Sequence, residues 1–567
     1  MTTIPTTDFV PADLDAGTWE NLAPLYQALL ERELKCSGCL EQLLLDRSEL
    51  DAAAREAHAN LYINMTCHTD DEQIKQAYLA FVENVEPQLK KIGFELDKKI
   101  VNSPHRGNLD QDRYGVMLRD LSADVEIFRQ ENVPLQTEDT KLAQQYSETC
   151  GTMTVRFRGE EKTLPMMARH LEETDRATRE EAWRLVADRR FKDHEKISSI
   201  FDEMIRLRHQ IAQNAGFETY REYMFKAKHR FDYTPVHCHA FHEAAQNVCV
   251  PLYRALNRQR AEALGVEALR SWDLAVDVRG RRPLRPFEKA DDMVEGCSRL
   301  FHKMDPSLGP MFDGLRDGES LDLESRKGKA PGGYQESRDR SRTQFIFMNA
   351  AGMQGDLETM IHEAGHAFHS MLTRSEPLLH YRHAPIEFAE VASMSMEFMA
   401  HPYLDEFYDD AEAARAKRMH LEDVLRLLPW IATIDAFQHW LYTHPDHSRE
   451  ERAAHWLELD ERFGPAVSWD GLEQYRPVAW QRQLHLFEVP FYYIEYGIAM
   501  LGALQLWLQS KKDEKSAIAH YRKALSMGGS RPLPELFAAA ELDFDFGPET
   551  MKKLMDMIAA ELESLPL

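Results

Sequence analysis

Positive charge, paired cysteines and long apolar runs are what this 567-residue chain has least of. Lys and Arg number 68 against 94 Asp and Glu, a net charge of -26. Phosphate recognition needs clustered basic side chains, so a nucleic-acid partner is excluded. The seven cysteines are an odd number, all within the first 300 residues. A disulfide framework is not indicated, and free thiols in a reducing compartment are expected. Cys36 and Cys39 form a lone CxxC in "KCSGCL", without the second pair a zinc ribbon needs. The first residues, "MTTIPTTDFVPADLDAGTWENL", lack a basic stretch followed by an apolar one, so no signal peptide is expected. The longest apolar run, "VPFYYIEYGIAMLGALQLWL" (489–508), contains Glu495 and opens at Pro490. It reads as a buried core helix rather than a membrane span. A cytoplasmic protein without membrane contact is expected.

Turn and strand signals are also sparse. Apolar residues recur at three and four in "TDDEQIKQAYLAFVENVEPQLKKIGFELDKKI" and "KTLPMMARHLEETDRATREEAWRLVADRRF", the period of a helix with one buried face. At 43% apolar residues the chain is long enough for two cores. The expectation is a mainly α fold with an N-terminal helical lobe, 1–200, and a larger helical lobe, 201–567. Two strand signals stand out: "MTVRF" (153–157), followed by Gly159, as a hairpin arm, and "TQFIFMN" (343–349). Residues 305–342, rich in Gly, Asp and Ser, read as an irregular segment. "RKGKAPGG" within it is not a phosphate loop, because no Ser or Thr follows its Gly-Lys.

What is present is "HEAGHAFH", 362–369. A helix capped by Asp356 and running to about Leu372 places Leu357, Met360, Ile361, Ala364, Phe368 and Met371 on one stripe. His362, His366 and His369 fall near the other side. His362 and His366, at i and i+4, can ligate one Zn2+. Glu363, about 100° around the helix, misses the metal but reaches a metal-bound water. Gly365 leaves room for close packing between the ligands. The metzincin pattern is excluded, since it needs Gly at 369 and His at 372, where this chain has His369 and Leu372. A third ligand must come from elsewhere. "IEFAEVASMSMEF", 386–398, supplies Glu387, Glu390 and Glu397 on one side of a helix otherwise built for burial. Buried acids are costly without partners, and a metal supplies one.

These residues resemble the M3 (thimet oligopeptidase-like) metallopeptidases, whose HExGHxxH motif is followed by an F-x-E-x-x-S-x-x-x-E helix. The resemblance points to the oligoendopeptidase F branch. It extends upstream through "LDLESRKGKAPGGY" and "FIFMN", and downstream through "HLFEVPFYYIEYGIAMLGALQLW". It covers residues 100 to 560 and is weakest over residues 1–100. One departure is "EVAS", where some members have "EAPS"; the acid is kept.

The resemblance implies two helical lobes around a deep substrate channel, with a small β element beside the zinc helix. It implies one Zn2+ per chain on His362, His366 and Glu390, with Glu363 as general base toward the metal-activated water. Glu397 and Glu387 become outer acids, and His369 an outer or substrate-facing residue, because a fourth protein ligand would close the site. His485, Tyr493 and Tyr496 are assigned to the substrate and its developing oxyanion, with Tyr496 ahead of Tyr493 as donor. Phe345, Phe347 and Asn349 are expected to pair with an extended peptide as an edge strand. Gly332, Gly333 and Tyr334 are expected to close over it. The function implied is internal cleavage of short unstructured oligopeptides. A metallo-exopeptidase and a zinc-stabilised peptide-binding protein without turnover remain open. So do Co2+ or Mn2+ in place of zinc, and the oligomeric state.

Overall fold

The computed structural model describes residues 8–318 and 320–567. Helices dominate, as the apolar spacing predicts, with five short strands among the described residues. The chain divides into two compact units that do not follow a single cut near residue 200. Each is assembled from three segments: 1–126, 284–413 and 502–544 in the first, 127–283, 414–501 and 545–567 in the second. A cut cannot be read from local composition here, because each core is closed by segments hundreds of residues apart.

In the first unit, helices Trp19–Glu31 and Ser37–Cys67 share a core that includes Leu22, Leu29, Leu40 and Leu43, each fully buried. The CxxC has a local role there. Cys36 caps the second of these helices, its Sγ accepting the Cys39 N–H at 3.2 Å. All seven cysteines are unpaired thiols.

The irregular segment expected at 305–342 is more ordered than its composition suggests. It holds a helix, Leu308–Asp317, and two strands of a three-stranded sheet. Apart from the β1–β2 hairpin of the second unit (Thr154–Phe157, Glu160–Thr163), the strands are β3 (Leu321–Glu324), β4 (Tyr334–Arg338) and β5 (Thr343–Ala350). The sheet order is β3-β5-β4, with β5 parallel to β3 and antiparallel to β4. The strand expected to be an edge is therefore central. Its middle residues are buried, which is how a strand covered on both faces reads. Phe345 and Phe347 pack with Ile63 and Cys67 of the Ser37–Cys67 helix.

In the second unit, β1 and β2 join through Arg158 and Gly159, both at positive φ, a tight two-residue turn completing the hairpin whose arm is expected at 153–157. Arg208, 1% exposed, pairs with Asp139 at 3.0 Å. It also donates to the Tyr442 hydroxyl and to the carbonyls of Leu486 and Phe487. A buried guanidinium is tolerable only with such full pairing, and here it fixes the short His485–Glu488 helix. The run at 489–508 folds as the helix Tyr493–Ser510. Its Glu495 is buried against Arg230 at 2.7 Å and Lys228 at 3.0 Å. No helix among the described residues is long and apolar enough to cross a membrane.

Candidate active site

The "HEAGHAFH" residues lie on helix Gln354–Leu372, which starts earlier than the Asp356 cap predicts. Asp356 sits in the first turn and reaches back, its carboxylate accepting the N–H of Met353 at 2.9 Å and of Ala351 at 2.7 Å. It still satisfies helix-end donors, from inside the helix. The predicted apolar stripe is buried except for half-buried Met371, but the burial does not stop there: Glu363, Gly365, Ala367 and His369 are buried too. Helix Ile386–Met399 packs along one side and the sheet along another.

Gly365 makes the first of these contacts. A Cβ there would lie 2.6 Å from the Ala392 carbonyl oxygen and 2.6 Å from Ser393 Cα. Only a glycine lets the two helix backbones approach this closely. The approach brings Glu390 onto the histidines. Its Oε2 is 3.4 Å from His362 Nε2 and 3.7 Å from His366 Nε2. The two imidazole rings are 4.9 Å apart and nearly perpendicular. One atom from each of the three residues falls within 4.8 Å of the others.

Neighbouring groups fix these three side chains. His362 Nδ1 bonds Glu397 Oε1 at 2.6 Å, which turns Nε2 toward Glu390. Ser393 donates its hydroxyl to Glu390 Oε2 at 2.9 Å. Burial works against charge on His362, but Glu390 and Glu397 outweigh it and hold the ring well above the usual histidine range. Burial would likewise raise Glu390, yet the two histidines and Ser393 keep it ionised. Burial lowers His366 to about 4, so it is neutral with a free lone pair. The cluster is built to keep positive charge next to Glu390, and two imidazole nitrogens plus a carboxylate oxygen are the donor set of a catalytic zinc site. The residues present fit the ion. Removing the support should therefore weaken metal binding. Glu397→Ala is expected to lower zinc affinity about 10- to 100-fold, read by competition with a chromophoric chelator, with activity returning at excess zinc.

Glu363 is 8% exposed, and burial pushes its carboxyl up to about 7. The Gln335 backbone N–H donates to it. That amide belongs to β4, an outer strand of the sheet, whereas β5 is central. Phe345 and Phe347 already pair through their backbone with Glu336 and Tyr334 of β4. Both side chains are buried in the core, so neither is placed to meet a substrate. Asn349 holds a loop instead, donating to the carbonyls of Ala330 at 2.7 Å and Gly332 at 3.0 Å. Tyr334 stacks on Phe347 with ring centres 4.8 Å apart, and its hydroxyl bonds Thr66 at 2.6 Å. Gly333 lies close to Thr359 of the site helix. Residues 332–334 are thus tied to the sheet, which is not the arrangement of a freely closing lid.

His369 is 5% exposed, its ring edge-on to Phe388 and its Nε2 without a partner. It is turned into the packing of the two helices rather than toward an open space. Glu387 is buried one turn before Glu390.

The second unit assembles the other expected group. His485 has the rings of Tyr493 at 4.8 Å and Tyr496 at 6.1 Å. Gln483, which the sequence did not single out, sets the tautomer. The Trp430 indole N–H can only donate, and it donates to Gln483 Oε1 at 3.2 Å. The amide nitrogen of Gln483 then faces His485 Nδ1 at 2.7 Å. Nδ1 is the acceptor, and the ring hydrogen sits on Nε2. Burial lowers the His485 pKa, which keeps that ring a neutral donor.

Comparison with known proteins agrees with this architecture. The family model for peptidase family M3 matches residues 169–555, and that for the peptidase M3 N-terminal domain matches residues 9–128. The match over residues 9–128 covers the stretch where the sequence resemblance is weakest. Oligopeptidase PepF of Bacillus subtilis is 26% identical over 330 residues, 56% of this chain and 47% of that protein. An oligoendopeptidase F homolog of Borreliella burgdorferi is 26% identical over 234 residues, 40% of this chain and 38% of that protein. The chain thus spans less than half the length of these curated relatives. Among solved structures, PZ peptidase A with an inhibitor superposes with a TM-score of 0.89 at 29% identity, covering 96% of this chain and 97% of that one. With both family models matched, one of them over more than half of its length, this chain belongs to peptidase family M3.

Proposed function

We propose that the chain is a zinc-dependent endopeptidase acting on short, unstructured peptides. The observation that carries this reading is the convergence of His362, His366 and Glu390 on one point, with Glu363 next to them on the same helix. When bound there, zinc supplies Lewis-acid activation of water and of the scissile carbonyl. The protein's own residues do the rest. Glu363 takes a proton from the attacking water onto its carboxylate and delivers it to the nitrogen of the leaving amine. The Gln335 N–H holds that carboxylate in one orientation. Glu397, through Nδ1 of His362, fixes that ring.

The outer edge of β4 offers backbone groups to an extended peptide, the role first expected of β5. His485, through Nε2–H, and Tyr496, through its hydroxyl, are the donors proposed for the developing oxyanion, with Tyr493 contacting the substrate. Tyr496→Phe should lower kcat about 100-fold or more with little change in KM, as for loss of one oxyanion donor. Equal kcat for the two proteins would remove Tyr496 from that role. We place the protein in the cytoplasm, where seven unpaired thiols stay reduced.

The deciding experiment is digestion of a quenched ten-residue peptide, with product masses and zinc content measured before and after chelation. Internal cleavage that stops on chelation and returns with zinc supports the reading. Release of single terminal residues supports an exopeptidase. Zinc binding without any cleavage supports a binding protein.

A further inference from the structure

A second cluster of metal-type ligands lies in the second unit, unused by the proposed chemistry. Helix Pro235–Ala244 carries Cys238 and His242, and helix Asp410–Thr443 carries Asp435 and His439. Each pair is spaced i and i+4, so each projects from one face of its helix. All four are buried: Cys238 and Asp435 fully, His242 at 2% and His439 at 3%. The Cys238 sulfur, a carboxylate oxygen of Asp435 and a ring nitrogen of His439 all lie within 4.8 Å of one another.

The hydrogen bonding of this cluster is incomplete in a telling way. His242 Nε2 bonds Asp435 Oδ2 at 2.8 Å. Among the described residues the other oxygen, Oδ1, has no hydrogen-bond partner, and neither does either ring nitrogen of His439. His439 Nε2 is 3.3 Å from Asp435 Oδ2 but not aligned for a hydrogen bond. A buried carboxylate oxygen and buried imidazole nitrogens left without hydrogen bonds are costly. A cation between them would satisfy all three residues at once. Thiolate, imidazole and carboxylate together are a zinc-type donor set.

We propose that Cys238, Asp435 and His439 hold a second, structural divalent ion of zinc type, with His242 hydrogen-bonded to the Asp435 carboxylate and holding it in place. The His239 ring lies close by, its centre 5.0 Å from that of His439. Binding forms the metal–sulfur bond as the Cys238 thiol gives its proton to solvent. Burial raises that thiol well above its usual range, so the ion and not the surroundings makes the thiolate. The ion would pin the two helices beneath the turn that leads into Tyr493. The His439 ring is 5.5 Å from Phe491, a residue at positive φ whose N–H is held by Gln438.

Cobalt tests this, because the other set, His362, His366 and Glu390, contains no sulfur. Chelator-stripped full-length protein titrated with Co2+ should develop a near-ultraviolet thiolate-to-cobalt charge-transfer band. The band should vanish in Cys238→Ser and weaken at least tenfold in apparent affinity in His439→Ala. It should persist in His366→Ala and in the Cys36→Ser, Cys39→Ser double variant, which controls for the exposed CxxC. No band in the wild-type protein overturns the proposal, and that reading needs no variant to fold. So does a band that survives Cys238→Ser or that depends on Cys36 and Cys39.

Discussion

Glu363→Gln is expected to lose nearly all turnover while zinc and peptide still bind. The substitution keeps the shape of the side chain and an oxygen able to accept the Gln335 N–H. What it removes is the site for a proton. General-base catalysis contributes about 10²- to 10⁴-fold, so kcat should fall by about 10³ or more. Glutamine bears no charge beside Glu390, so the ligand cluster should not lose its cation. The check is a set of three measurements on one preparation: zinc per chain, peptide affinity by calorimetry, and kcat on a quenched peptide. Turnover within tenfold of wild type, at full zinc loading, would assign the base elsewhere.

Gly365→Ala should unseat the site by moving backbone. The added carbon meets Ala392 O and Ser393 Cα at 2.6 Å, and neither is a side chain that can swing away. The helices Gln354–Leu372 and Ile386–Met399 must separate, and Glu390, carried by the second, moves with it. Alanine favours a helix interior over glycine by about 1 kcal/mol, but overpacking a core costs about 1–3 kcal/mol and more where backbone is in the way. The clash should win. The melting temperature should drop by several degrees, and zinc affinity should fall at least tenfold. Gly355→Ala in the same helix is the control, since a Cβ there meets nothing within 4 Å. It should leave both quantities unchanged or slightly improved. Equal behaviour of the two variants would show that the close approach at Gly365 does not position Glu390.

The histidine pair and the row of acids were readable in sequence because the relations within each helix are local, while the choice of Glu390 among the acids came from the family resemblance. His362 and His366 are one helical turn apart, and Glu390 and Glu397 are two turns apart, so periodicity alone puts each pair on one face. The packing role of Gly365 was readable for the same reason. Other features were not. Asp356 looks like a cap by residue type, yet it serves from inside the first turn, because backbone at 351–353 was free to fold onto it. "TQFIFMN" looks like any short apolar strand, and nothing within it says whether it will be central or an edge.

The amino-acid sequence by itself determined the helical class, the ligand spacing and the family, since these rest on side-chain type and on contacts a few residues apart. The tertiary structure decided the rest. It placed β5 between two neighbours and left β4 an outer strand. It aimed the Gln335 amide at Glu363, set the tautomer of His485 through Gln483 and Trp430, and brought Cys238 to Asp435 across nearly two hundred residues. Each of these depends on pairing between distant segments. Such pairing is fixed by the packing of whole surfaces, and no local pattern carries it.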